Sequence, residues 1–220
     1  VLAQRLKTLA PSSTLAVQAK AKELRARGVD VISFGAGEPD FDTPARIKEA
    51  AVVAMQRGHT KYTEVGGVPE VRAAVCAKFK RENGLDYAPA DVLVSCGAKH
   101  TLFNLVVAVL DPGDEVIVPS PFWVSYPEQV KLVGGVPVPV ETDEATGFDL
   151  DPERVRRAVT PRTKVIVVNS PNNPTGAVFS RAALEAVARI AIERDLLVVS
   201  DECYEALTFE GHHVSIASFG

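Results

Sequence analysis

The stretch NSPNNPTG at residues 169–176 constrains this chain more than any other. It follows Val165-Ile166-Val167-Val168, an apolar, β-branched run of the kind buried on both faces of a parallel sheet. Pro171 and Pro174 lack backbone donors and exclude a helix, while Asn172 and Asn173 tolerate unusual backbone angles and carry side-chain amides. A buried strand therefore ends in a stiff loop that presents amides. Ser180 then caps a helix with Leu184, Val187, Ala188 and Ile190 on one face, and a second buried strand at residues 196–199 ends in Ser200-Asp201-Glu202. Strand, helix and strand in this order form a right-handed crossover between parallel strands. Ligands of open α/β sheets sit at the carboxyl ends of the strands, so the Asn loop and Asp201 should face one crevice.

The upstream chain is punctuated by proline, glycine and serine. Ser12 or Ser13 can cap a helix that Gly28 stops near residue 27, and residues 31–34 read as a short strand. GAGEPDF, at residues 35–41, begins like a dinucleotide fingerprint, but Asp40 stands at the third glycine position and Pro39 blocks the helix. Gly35 and Gly37 can bring bare backbone N–H groups close to a ligand, and a tight turn accounts for them equally. Pro44 opens a helix to about residue 57; Pro69 opens another, ended by Asn83-Gly84. The loop between them carries Tyr62.

Residues 91–95 read as a strand, followed by Cys96-Gly97-Ala98-Lys99-His100 and an apolar helix over 101–110. A glycine turn at a helix N-terminus offers unpaired N–H groups and the positive end of the dipole, and Lys99 adds charge, so the turn suits an anion. GxxxxGK[ST] is absent, which excludes a P-loop, and an ordinary β-to-α turn fits the same residues. Residues 115–119 form a strand that ends in Ser120-Pro121-Phe122-Trp123, placing the only tryptophan just beyond it. Residues 136–140 form an edge strand, because Pro137 and Pro139 cannot donate to a ladder. A short helix spans 152–159.

A net charge of −4 argues against nucleic acid or an anionic membrane as partner, and no apolar run approaches a membrane span. Arg5 and Lys7 interrupt the first ten residues, which do not read as a secretory leader. Cys76, Cys96 and Cys203 lack CxxC or His-partner spacing, so they read as buried, reduced thiols of a cytoplasmic protein with no metal site.

Four strand ends thus offer a glycine and lysine at a helix N-terminus, an aromatic ring, an amide and a carboxylate. A phosphorylated, planar, nitrogen-containing ring matches all four, and pyridoxal phosphate is such a group. Its phosphate suits the helix N-terminus, its ring the face of Trp123, its protonated nitrogen Asp201, and its ring oxygen Asn173 and Tyr204. Alone, Asp201 would read as a solvated strand-end acid.

GAGEPDF, KYTEVGGVPEVR, PFWVSYPE, NSPNNPTGAVFS and VSDECYE together resemble the class I aminotransferases of the fold-type I pyridoxal phosphate enzymes, in their bacterial aspartate aminotransferase branch. The resemblance covers essentially the whole chain. It implies an α/β fold, a three-layer sandwich with a mainly parallel sheet, with residues 1–40 associating with a small domain and 41–220 forming an incomplete large domain. It implies that Gly97, Ala98 and Lys99 border the phosphate, Trp123 stacks on the ring, Asn173 and Tyr204 meet the ring hydroxyl, and Asp201 pairs with the ring nitrogen. It also implies that Tyr62 reaches the phosphate of a neighbouring subunit in a homodimer with shared sites. Gly37 meets the substrate α-carboxylate, and Lys99, with Trp123 and Asn173, lines the substrate side, Lys99 reading a distal carboxylate.

The family's Schiff-base lysine and its carboxylate-binding arginines are expected beyond Gly220, where residues 211–220 stop without closing an element. No residue of this chain is therefore assigned as catalytic. Lys164 starts its strand, Lys131 lies in a helix beyond the tryptophan loop, and Lys99 serves the anion. The implied activity is transfer of an amino group from aspartate to 2-oxoglutarate. An aromatic or broad-range aminotransferase, a β-lyase, or a non-catalytic module on the same fold are the alternatives.

Overall fold

The computed structural model describes residues 2–10, 12–35 and 37–220. They fall into two compact units, one joining the residues up to Leu9 with Gly66–Gly220, the other Ala10–Val65.

The larger unit is built on four strands: β1 (Glu115–Ser120), β2 (Val136–Glu141), β3 (Thr163–Asn169) and β4 (Leu197–Asp201). Their order is β2-β1-β3-β4 and every pairing is parallel. β2, with its two prolines, stands at one edge as its sequence requires. Five helices serve this sheet and its flank: α3 (Pro69–Lys78), α4 (Ala98–Val109), α5 (Ser125–Leu132), α6 (Pro152–Ala158) and α7 (Arg181–Arg194). α1 (Ser13–Ala26) and α2 (Ala45–Gln56) belong to the other unit.

Strand alternation divides the core. Ile117, Ile166 and Val168 point to one face, where they pack with Val155 of α6 and Leu184, Val187 and Ile190 of α7. Val116, Val118, Val165, Val167 and Val199 point to the other, against Leu102 and Val106 of α4 and Val130 of α5. Helix, sheet and helix make three layers. α7 begins where Ser180 Oγ accepts the Ala183 N–H at 3.2 Å, as its sequence requires. α3 continues into a π-helical turn over Phe79–Asn83, which Gly84 ends at φ +70°.

At the amino ends of β1 and β3, Glu115 is 4% exposed. Its carboxylate accepts from Thr160 Oγ1 at 2.5 Å and from Arg162 Nη2 and Nε at 2.6 and 3.0 Å. The Thr160 hydroxyl foremost, and then Arg162, hold its carboxyl below the ordinary value of 4.5. A lowered folded-state pKa gives stability that is present above 4.5 and is lost as pH falls through the folded value. The unfolding free energy should therefore decline on acidification below that point, and Glu115→Gln should flatten this limb when denaturation is measured across the acid range.

In the smaller unit, Ser12 caps α1 (Ser13–Ala26) by accepting the Leu15 N–H at 3.3 Å, and α2 (Ala45–Gln56) follows Pro44. Residues 31–34 join no sheet among the described residues. The Val31 carbonyl is taken by the Arg25 guanidinium at 2.9 and 3.1 Å, and Ile32 and Phe34 are exposed.

Residues 91–95 likewise form no ladder. A 3-10 turn over Pro89–Asp91 takes the start of the segment, and the Val94 N–H makes a single backbone bond, to Gly66 O at 3.0 Å. The cysteines are reduced, but burial holds only in part, since Cys76 is half-buried while Cys96 and Cys203 are exposed. All three lie outside both packed clusters, Cys76 in α3, Cys96 in the turn before α4 and Cys203 in the turn after β4. Among the described residues no helix is long and apolar enough to cross a membrane.

Candidate active site

Three paired strands and one glycine turn carry Gly97, Lys99, Trp123, Asn173 and Asp201 of the larger unit toward the carboxyl edge of the sheet. β3 and β4 are in register with Asn169 opposite Asp201. Side chains two residues apart share a face, so Asp201 points with Val199 toward the α4 and α5 layer, and Asn169 with Val167 does the same. Alternation turns Ser200 and Glu202 the other way. There Glu202 accepts from Ser200 Oγ at 2.6 Å and Ser215 Oγ at 2.7 Å, and bonds His213 Nε2 at 2.9 Å.

Asp201 is half-buried and held at three points. Its Oδ2 accepts the Tyr126 hydroxyl at 2.6 Å, its Oδ1 the Cys203 N–H at 3.2 Å, and its backbone carbonyl the Asn169 side-chain amide at 3.0 Å. Tyr126 is buried; burial first, and then the bond to Asp201, push its phenol far above the ordinary value of 10, so it remains a neutral donor. Partial desolvation of the exposed Cys203, with Asp201 adding to it, pushes its thiol up to about 11, which keeps it uncharged beside the carboxylate. Tyr126→Phe removes one bond to a charged group and should lower the unfolding free energy by about 1.5–3 kcal/mol, measured by denaturant titration of the full-length protein.

From Tyr126 the contacts run on to the anion turn. The Trp123 ring meets Tyr126 edge-on, with centroids 5.4 Å apart and planes at 86°. Lys99 Nζ stands 4.9 Å from the Trp123 centroid, a cation–π contact. Lys99 is the second residue of α4, whose N-cap is Gly97 at φ +82° and ψ 163°. That backbone conformation is nearly closed to other residues, and a Cβ at this position would meet nothing within 4 Å. The N–H groups of Ala98 and Lys99 precede the helical ladder and have no carbonyl of their own helix to bond. Ser95 Oγ, at the entry of the same turn, is buried and has no hydrogen-bond partner among the described residues.

The asparagine loop divides its work. Asn169 turns inward, its Oδ1 accepting the Asn173 N–H at 2.8 Å. Asn172 also turns inward, accepting Thr175 N–H and Oγ1 at 3.2 and 2.9 Å. Both are buried, so the expectation that Asn172 presents its amide is corrected. Thr175 takes its side-chain carbonyl oxygen within the loop. Among the described residues the half-buried Asn173 amide side chain bonds nothing. Tyr204 is 40% exposed, and its hydroxyl has no partner among the described residues. Gly37 and Tyr62 belong to the smaller unit, where both are exposed.

Sequence reasoning missed Tyr126, Ser95 and Gln129, whose Nε2 donates to Lys99 O at 2.9 Å. A helical offset from Trp123 could have pointed to Tyr126, which stands three residues later at the first turn of α5. Lys164 lies at the far end of β3, 3.1 Å from Asp114, and Lys131 pairs with Glu128 at 2.9 Å.

A family model described as aminotransferase class I and II matches residues 29–219. The aspartate/prephenate aminotransferase of Thermus thermophilus is 59% identical over 214 residues, which are 97% of this chain and 56% of that protein. The aspartate aminotransferase of Bacillus subtilis is 54% identical over 217 residues, 98% of this chain and 55% of that protein. A solved structure of the Thermus thermophilus aspartate aminotransferase with maleate is 57% identical and aligns with a TM-score of 0.96 over 100% of this chain and 57% of that one. Alanine aminotransferase from Pyrococcus furiosus is 38% identical, with a TM-score of 0.96 over 100% of this chain and 56% of its own. The chain thus spans about half the length of the relatives it matches. With the three-layer parallel fold and the residues gathered at its carboxyl edge, these matches show that the chain belongs to the class I and II aminotransferase family.

Proposed function

We propose that the protein carrying this chain transfers the amino group of aspartate to 2-oxoglutarate, forming oxaloacetate and glutamate, with pyridoxal phosphate as cofactor. The observation that carries the reading is the unbroken series of contacts from Lys99 through Trp123 and Tyr126 to Asp201. Its donor set suits that cofactor. The unpaired amides of Ala98 and Lys99, the orphaned Ser95 hydroxyl and the open space beside Gly97 suit a phosphate. Trp123 offers a ring face, Asp201 an acceptor for a protonated ring nitrogen, and Asn173 and Tyr204 donors for a ring oxygen. When bound, pyridoxal phosphate supplies the electron sink that lets an amino acid's Cα–H bond break.

The chain's own residues bind and orient. Asp201, held by Tyr126, keeps a proton on the ring nitrogen. Lys99 neutralises the distal carboxylate of a dicarboxylic substrate, and the Gly37 N–H meets its α-carboxylate. Tyr62 reaches the phosphate bound by a neighbouring subunit, which makes the working form a homodimer with shared sites, and the proposed compartment is the cytoplasm. In the same proposal residues 1–40 associate with a small domain, and 41–220 form most of the large one. Lys164 is paired with Asp114 and Lys131 with Glu128, so neither is assigned as the base that moves the Cα proton.

The test is a product balance with the full-length protein. Aspartate and 2-oxoglutarate should give oxaloacetate and glutamate in equal amounts. Release of ammonia in place of glutamate would indicate a lyase and overturn the reading. The name of the Thermus thermophilus relative favours prephenate as a second acceptor, to be assayed beside 2-oxoglutarate.

A further inference from the structure

Lys99 is tied to one segment of chain at both of its ends. Its ammonium stands over Trp123, which lies just before α5. Its carbonyl accepts the side-chain amide of Gln129, from within α5, at 2.9 Å. In a helix the Lys99 carbonyl already serves the residue four positions on, and its second lone pair admits the added bond. Gln129 shares a face of α5 with Tyr126, three residues earlier, whose hydroxyl holds Asp201. One helix therefore sets the separation between the lysine at the anion turn and the carboxylate at the end of β4. Lysine is a flexible four-carbon stem, and its ammonium is placed only as well as the backbone at its root.

We infer that Gln129 is a positioning residue for Lys99: it fixes the first turn of α4 so that the ammonium keeps its place over Trp123, and thereby sets the preference for dicarboxylic ligands. This rests on the proposed role of Lys99 toward a distal carboxylate. Gln129 acts only through Lys99, so its removal should be felt by ligands that carry the second carboxylate and not by those that lack it.

The test is calorimetric binding of succinate and of butyrate, which has the same chain length and a single carboxylate, to the full-length protein loaded with pyridoxal phosphate. Gln129→Met keeps the length of the side chain and deletes the donor. It should weaken succinate by roughly three- to tenfold, the worth of one net hydrogen bond, while butyrate and the cofactor's own dissociation constant stay within about twofold. In a Lys99→Met background the same substitution should change succinate no further, because both act through one ammonium.

If Lys99→Met leaves the ratio of succinate to butyrate affinity unchanged, the proposed role of Lys99 fails and this inference falls with it. If Lys99→Met collapses that ratio but Gln129→Met does not, the role of Lys99 stands and the inference alone is overturned. Equal weakening of both ligands by Gln129→Met, or an undiminished effect in the Lys99→Met background, would make the tie a purely structural one and overturn it as well.

Discussion

Replacing Asp201 by alanine in the full-length protein should lower kcat for the aspartate half-reaction by roughly 10²–10³-fold, the range found when one preorganised polar contact is removed from an active site. The carboxylate sits at the end of β4 on the Trp123 side and is held by the Tyr126 hydroxyl at 2.6 Å. No neighbouring acid can replace it, since Glu202 is turned to the other side of the strand and engaged by Ser200, Ser215 and His213. Asp201→Asn should be nearly as damaging, because a neutral amide does not favour a charged ring nitrogen. The proposed phosphate contacts, at Gly97 to Lys99, lie at the other end of the site, so both variants should retain the cofactor. Single-turnover rates with aspartate, read beside cofactor content, separate loss of chemistry from loss of binding. A variant that keeps its cofactor and its rate would remove Asp201 from the mechanism.

The largest effect on stability is expected at Ile166. It is fully buried in β3, an interior strand, and packs in the cluster that joins α6 and α7 to the sheet. Ile166→Ala deletes three carbons from a site closed by strands on both sides and helices above. It should cost about 2–5 kcal/mol, the transfer term plus the cavity left behind. The surface pair Arg189–Glu185 is the contrast. Both side chains are about half exposed or more, and Arg189→Ala should change stability by less than about 1 kcal/mol. Denaturant midpoints of the two variants measured side by side check the difference. Similar costs would mean that the sheet and α7 do not share one cooperative core.

What the sequence disclosed follows from how local each signal is. The β3–α7–β4 unit was legible because its strands are continuous apolar runs, its helix has a serine cap, and its loop is closed to helix by two prolines. The proline-bearing edge strand β2 was legible for a similar reason. Residues 31–34 and 91–95 carry the same β-branched composition, yet neither is laddered. Strand propensity describes a residue that suits a pleated surface, and only a partner turns it into a strand.

Side-chain roles divide the same way. Asp201, Trp123, Lys99 and Gly97 stand at element ends, where residue type and position suffice to suggest chemistry. The Tyr126 bond to Asp201 and the Gln129 bond to Lys99 O span 75 and 30 residues, and no periodicity in the chain records them. The inward turn of Asn172 was hidden for the opposite reason. Its partner Thr175 is three residues away, and an amide that closes its own loop looks in sequence like one that offers itself to a ligand.

In the proposed function the carboxyl edge of this sheet cradles pyridoxal phosphate with Asp201 against its ring nitrogen. The most direct test is a nitrogen-15 NMR spectrum of the full-length protein loaded with cofactor labelled at that nitrogen, at slightly alkaline pH. The account predicts a protonated pyridinium nitrogen in the wild-type protein and its loss in Asp201→Ala. An unprotonated ring nitrogen in the wild-type protein, or a protonated one that survives Asp201→Ala, would contradict it.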